Sequence, residues 1–177
     1  GEESAEQLRA RAERLGVVDC GIEVLCESSL ETITASLDAL SPVLVVVDSI
    51  QTITSEDVGP VPGTVNQIKY ATQRLMEWAR SHSAALFMVA HVTKEGVISG
   101  PKVVEHLVDT VLYFDQSDSD LRVLRATKNR FGSVDEIGLF TMKATGLEEV
   151  SKPDLIFLHH RSGDVPAGVV VAPVFEG

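Results

Sequence analysis

Lys128 and Arg130 stand two residues apart in the run Lys128-Asn129-Arg130-Phe131-Gly132, just past a strand-like stretch from Leu121 to Thr127. If the strand continues through them, its period-two alternation sends both side chains the same way. Two fixed cations can then meet one phosphate group. A complementary group lies upstream, where Asp48 ends the aliphatic run Leu44-Val45-Val46-Val47 and precedes Ser49. An acid placed rigidly at a strand end is the hard oxygen ligand that holds a hydrated magnesium ion beside the β- and γ-phosphates of a nucleotide. His91 ends a second apolar run, Ala84 to Ala90, and Glu2 and Glu3 stand before the first helix. Metal and cations around a γ-phosphate are among the parts that phosphoryl transfer requires, and Asp48, Lys128 and Arg130 have the chemistry for them.

Such groups need a scaffold that brings strand ends together. The opening carries a capping box, Ser4-x-x-Gln7, then Leu8, Ala12 and Leu15 at helical spacing and Gly16 as C-terminal cap. Ile22 to Leu25 predicts a short strand, and Ser28-x-x-Glu31 opens a second helix with Leu30, Ile33, Leu37 and Leu40 on one face, ended by Pro42. Val43 to Val47 predicts a strand buried on both faces of a parallel sheet, and Ala84 to Ala90 another. Between them, residues 52–63 hold two prolines and two glycines and predict a mobile loop. Thr64 caps a helix with Val65, Ile68, Ala71, Leu75 and Ala79 facing inward. A loop from Thr93 to Gly100, a helix begun by Pro101 and a strand from Asp109 to Phe114 follow. Leu121 to Thr127 and Glu136 to Met142 then predict an antiparallel extension on one edge of the sheet, with irregular chain after Gly146.

The chain has 177 residues, 44% of them hydrophobic, enough for the core of one domain. Fifteen basic against twenty-six acidic residues give a net charge of -11, which opposes broad attraction to phosphate backbones. Nucleic-acid contact must therefore be local. No run approaches the roughly 20 apolar residues of a membrane helix, and we expect a soluble, cytoplasmic protein with no membrane partner. Cys20 and Cys26 have no partner pair, so neither a zinc cluster nor a disulfide framework is expected, and both are read as free, buried thiols.

Leu44 to Thr52 (LVVVDSIQT), Ala90 to Gly96 (AHVTKEG), Gly100 to His106 (GPKVVEH) and Lys128 to Gly132 (KNRFG), with the opening Gly1-Glu2-Glu3-Ser4, resemble the RadA (Sms) family of bacterial recombination and repair ATPases. The resemblance runs along essentially the whole chain. It implies an α/β fold, the core of a RecA-like P-loop ATPase: a mostly parallel sheet flanked by helices, with an antiparallel extension, truncated at both ends. Residues 1–151 would be that core, and 152–177 a linker and the start of a Lon-protease-like domain. No G-x-x-x-x-G-K-[ST] occurs in the chain. The phosphate loop is expected upstream, as is the family's four-cysteine zinc module.

The resemblance also implies roles. Glu2 looks like the acid that orients attacking water, with Glu3 as the competing choice. Asp48 resembles the Walker B magnesium acid, with Ser49 beside it at the ATP site. His91 looks like a sensor between the γ-phosphate and a DNA-facing loop. Lys128 and Arg130 resemble the paired fingers that ring helicases of the DnaB type supply to a neighbouring subunit's nucleotide. Residues 52–63 and 93–102 match pore-facing loops, with Lys94 and Lys102 as phosphate contacts. The implied activity is DNA-dependent ATP hydrolysis with Mg2+, by a hexameric ring acting as a helicase on single-stranded and branched DNA, promoting branch migration beside a RecA-type recombinase. The fragment alone is expected to be inactive. Two alternatives remain: a noncatalytic RecA-like scaffold that binds the recombinase, and a circadian-type or signalling ATPase of similar fold whose ligand is not DNA.

Overall fold

The computed structural model describes residues 3–91, 99–116 and 121–151. The expectations placed on Glu2, on Lys94 and on residues 152–177 lie outside the described residues. In chain order the elements are α1 (Ala5–Leu15), α2 (Leu30–Leu40), β1 (Leu44–Asp48), a 3-10 turn (Ile50–Thr52), α3 (Val65–Ser81), β2 (Ala85–Val89), α4 (Ser99–Leu107), β3 (Thr110–Gln116), β4 (Leu121–Asn129), β5 (Ile137–Lys143) and β6 (Gly146–Glu149). The architecture is α/β, with a parallel sheet of order β1-β2 and an antiparallel meander of order β3-β4-β5-β6. This agrees with a RecA-like core carrying an antiparallel extension. The chain divides into two compact units, Gly1–Leu112 with Ala126–Asp135, and Tyr113–Arg125 with Glu136–Gly177.

Local chemistry sets the helix ends of the first unit. The Ser4 hydroxyl accepts from the Gln7 amide while the Gln7 side chain accepts from the Ser4 amide, and Gly16 takes the left-handed conformation that closes α1. Thr64 caps α3 through the Gln67 amide. The cap of α2 is Ser29, one residue later than expected, because Ser29 rather than Ser28 faces the Thr32 amide. The helix stops at Ser41, immediately before Pro42. The core joins α2, β1, α3 and β2 through Leu30, Ile33, Leu37, Val45, Ile50, Ile53, Ile68, Leu75 and Trp78. Each large apolar side chain buried there contributes about 1.5–3 kcal/mol. Leu40, expected on that face, is exposed at the helix end.

Four expectations are corrected here. First, β1 and β2 are each buried on one face only. In their parallel register Val45 pairs with Leu86 and Val47 with Met88 on the face packed against the core, whereas Leu44, Val46, Phe87 and Val89 are exposed. The helices α2 and α3 cover one side of a two-stranded sheet, and among the described residues nothing covers the other. Second, Ile22 to Leu25 forms no strand and its apolar side chains are exposed, because no described strand pairs with it. Cys20 and Cys26 flank this unpacked segment and are therefore free but exposed, not buried. Third, loop 52–63 is anchored in its first half: Ile53 and Ser55 are buried, and Ser28 and Leu30 exchange backbone hydrogen bonds with Thr54. Fourth, the chain after Gly146 is not irregular at once, since Gly146–Glu149 pairs with β5.

In the second unit Phe114 and Phe140 meet edge to face, and Arg125 lies over the Tyr113 ring while pairing with Asp115 at 3.4 Å. Leu121 is its buried apolar residue among those described.

Candidate active site

The carboxyl ends of β1 and β2 meet because the strands are parallel and in register, Asp48 standing opposite Val89. Alternation places Asp48 on the open face of the sheet, with Leu44 and Val46. Its carboxylate is exposed and makes no hydrogen bond or ion pair among the described residues. The Asp48–Ser49 peptide bond is cis. Ser49 is buried, and its hydroxyl oxygen has no partner; the same is true of Gln51 Oε1. The Gln51 amide nitrogen donates to the His91 carbonyl at 3.0 Å, tying the turn after β1 to the second residue past β2. Asp48 and His91 are thus brought to one edge.

A carboxylate at a strand end, exposed and without partners among the described residues, suits a hydrated cation. Asp48 would hold such a magnesium ion. Among the described residues no cluster of three His, Cys, Asp or Glu side chains is arranged for a metal. Magnesium held by one carboxylate, water and phosphate oxygens does not require one.

Behind this edge lies a support that the sequence did not announce. Gln67 is buried on the inward face of α3, where it accepts from the Ser55 amide at 2.9 Å and donates to the Ser55 and Gly59 carbonyls. The Ser55 hydroxyl donates to Glu31 at 2.6 Å, and Glu31 also accepts from Ser29. The Ser55 hydrogen bond is the largest cause holding the Glu31 carboxyl below the usual carboxylate range. Tyr70 donates to Asp57 at 2.6 Å, which raises the phenol above its usual value. The available signal was Gln67 itself, a polar residue within the apolar stripe of a helix.

The cations sit elsewhere in the first unit. β4 runs to Asn129, so Lys128 lies within the strand rather than in the turn. Its ammonium donates to the carbonyls of Glu105 at 2.8 Å and His106 at 3.3 Å, in the last turn of α4. Arg130 pairs with Asp109 at 2.8 Å, and its backbone amide donates to the Asp109 carbonyl at 3.1 Å. Lys128 and Arg130 therefore share one neighbourhood, the end of α4 and the start of β3. The antiparallel extension expected on one edge of the parallel sheet is instead a sheet of its own: β4 belongs to it, and it has no ladder to β1-β2 among the described residues, so Lys128 and Arg130 do not share a sheet with Asp48. Asn129 fixes the turn by accepting from the Phe131 amide and donating to the Ser133 carbonyl, leaving Phe131 82% exposed. Lys102 is exposed on α4. Glu3 is ion-paired with Arg11 of α1, a local contact that suits a structural role. Among the described residues no helix is long and apolar enough to cross a membrane.

No family model matches the chain. In sequence it is 48% identical over 177 residues to a DNA repair protein RadA of Treponema pallidum, covering 100% of this chain and 39% of that protein. Against a DNA repair protein RadA of Pseudomonas aeruginosa the identity is 48% over 178 residues, and against one of Streptococcus pneumoniae 44% over 178 residues, covering 39% and 42% of those proteins. The chain spans about two fifths of the length of these curated relatives. The resemblance read from the sequence is thereby borne out along the whole chain.

Proposed function

We propose, from its similarity along the whole of this chain to part of the RadA DNA repair proteins, that this chain is the catalytic part of a DNA repair ATPase lacking its phosphate-binding loop. The observation that carries the proposal is the Asp48 edge: an exposed carboxylate without partners among the described residues, at the end of a strand tied through Gln51 to His91. Bound Mg-ATP would supply the transferable phosphoryl group and a metal that neutralises its charge.

Asp48 would orient that metal from the end of a strand whose other face is locked in the core. The link from Gln51 to the His91 carbonyl would keep the two strand ends moving together, so that His91 senses the phosphate end of the site. Lys128 and Arg130, held beside α4, would present positive charge to nucleotide on a neighbouring copy, as paired fingers in a hexameric ring. The water-orienting role stays with Glu2. Lys102, with Lys94, would contact single-stranded and branched DNA through phosphate, in a salt-sensitive and largely sequence-independent way. Helicase action, branch migration and cooperation with a RecA-type recombinase belong to this same reading.

The test is ATP hydrolysis, with and without single-stranded DNA, by this chain and by a protein taken to the full span of its relatives. Hydrolysis by the longer protein, stimulated by DNA and lowered about 10³-fold or more in Arg130→Ala, is the expected result. A longer protein that binds ATP but remains inert with DNA removes the motor reading, and a noncatalytic scaffold for a recombinase takes its place.

A further inference from the structure

We infer that Asp109, together with the carboxyl end of α4, sets where the Lys128 and Arg130 side chains reach, so that Asp109 is a positioning residue for the hydrolysis. The inference rests on the function proposed above and adds to it a residue with no assigned role. Asp109 grips Arg130 twice, through its carboxylate at 2.8 Å from the guanidinium and through its carbonyl at 3.1 Å from the Arg130 backbone amide. The first contact aims the side chain and the second fixes the strand end that bears it.

The chemistry of the contact favours positioning over mere stability. The side chains of Arg130 and Asp109 are 55% and 38% exposed, and an ion pair so open to water adds little to folding. A guanidinium has five N–H donors in a rigid fork, so the one bonded to Asp109 leaves others for a phosphate. Lys128 is held by a different device with the same outcome. Its two carbonyl partners carry no formal charge, lie at the negative end of a helix, and leave one N–H and the full positive charge available. Long cationic side chains have many rotamers, and fixing them before the phosphate arrives removes an ordering cost from the bound state. Because both anchors belong to the same stretch, Glu105 to Asp109, a shift of the α4 end would move both cations together.

The test uses the full-span protein with Asp109→Ala, Asp109→Asn and Asp109→Glu, each alone and with Arg130→Ala. The expected result is a kcat for Asp109→Ala lowered about 10- to 100-fold, the scale of a misplaced catalytic group. KM for ATP should hold within about twofold and the melting temperature should not change. Asp109→Glu should recover part of the loss, and Asp109→Ala should cost nothing further once Arg130 is already alanine. Equal losses with and without Arg130, or a lowered melting temperature that accounts for the loss, would overturn the inference. Wild-type kcat in Asp109→Ala, with activity lost in Arg130→Ala, would overturn it and leave the proposed function standing. Wild-type activity in Arg130→Ala would remove the proposed function, and this inference with it.

Discussion

The acidic and basic groups of the first unit are built in opposite ways. Asp48 has a rigid, buried foundation and an open surface: Ile50 and Ile53 are sealed in the core just beyond it, yet its carboxylate has no partner among the described residues, and the Ser49 and Gln51 oxygens that follow in sequence make no hydrogen bond there. Lys128, half-buried, and Arg130, exposed, have partners that hold their side chains, the end of α4 and Asp109. The difference separates a place that awaits a ligand from a place that holds its own cations ready. An enzyme whose acid and cation act from different copies across an interface would need that division.

The largest effect should come from the cations. Arg130→Ala in the full-span protein should lower kcat about 10³-fold or more, measured by steady-state ATP hydrolysis. Mixing Arg130→Ala copies with Asp48→Asn copies should restore part of the rate, because some interfaces then pair an intact acid with an intact arginine. No recovery on mixing would mean that acid and cation act within one copy, and the contrast drawn above would lose its functional meaning.

Asp48→Asn alone comes next, with a loss of about 10²-fold, since a metal contributes several kcal/mol of charge stabilisation and each 1.4 kcal/mol is tenfold. Removing an exposed carboxylate with no partner should leave the denaturation midpoint where it was. A large fall in stability would show that the carboxylate is a structural group and not a waiting ligand.

The contrast was only partly legible in the sequence. The caps at Ser4 and Thr64, the stop at Pro42 and the strands ending at Asp48 and near His91 could be read directly, because each depends on residues within a turn or two. Burial of a strand on one face or two could not, since Val46 and Phe87 are as apolar as Val45 and Leu86 and only the packing layers distinguish them. Arg130 could be nominated from its spacing to Lys128, but its bond to Asp109 joins residues 21 apart and required the fold. Gln67 is hidden in an apolar stripe, and its partners Ser55 and Gly59 lie in a loop whose path only the fold fixes.

The foundation of the acid edge offers a sharper stability test. Gln67→Ala strips partners from the Ser55 amide and carbonyl and from the Gly59 carbonyl, at least two of them buried with Ser55. Unmade buried hydrogen bonds of this kind cost about 1–3 kcal/mol, visible as a lower midpoint in urea and as lost amide protection at Ser55. The basic region should be unaffected, because Lys128 and Arg130 draw on α4 and Asp109. If their environment changes as well, the two regions are not independent.

The smallest effect is a pH dependence confined to the same foundation. Glu31 titrates below its ordinary value of 4.5 in the folded chain, chiefly because the Ser55 hydroxyl bonds to its carboxylate. A depressed folded pKa means that the unfolded chain binds the proton more tightly. The contribution is therefore present above the unfolded value and is lost as pH falls through the folded one. Glu27 adds a similar acid limb, lowered by the Ser29 and Ser28 backbone amides. Glu31→Gln should thus flatten the fall in melting temperature below the ordinary carboxylate range without abolishing it, the remainder belonging to Glu27. It should have little effect near neutral pH beyond a constant offset from the altered bond to Ser55. An unchanged acid limb in Glu31→Gln would mean that Ser55 does not depend on that carboxylate, and would leave Gln67 alone as the anchor of the turn behind Asp48.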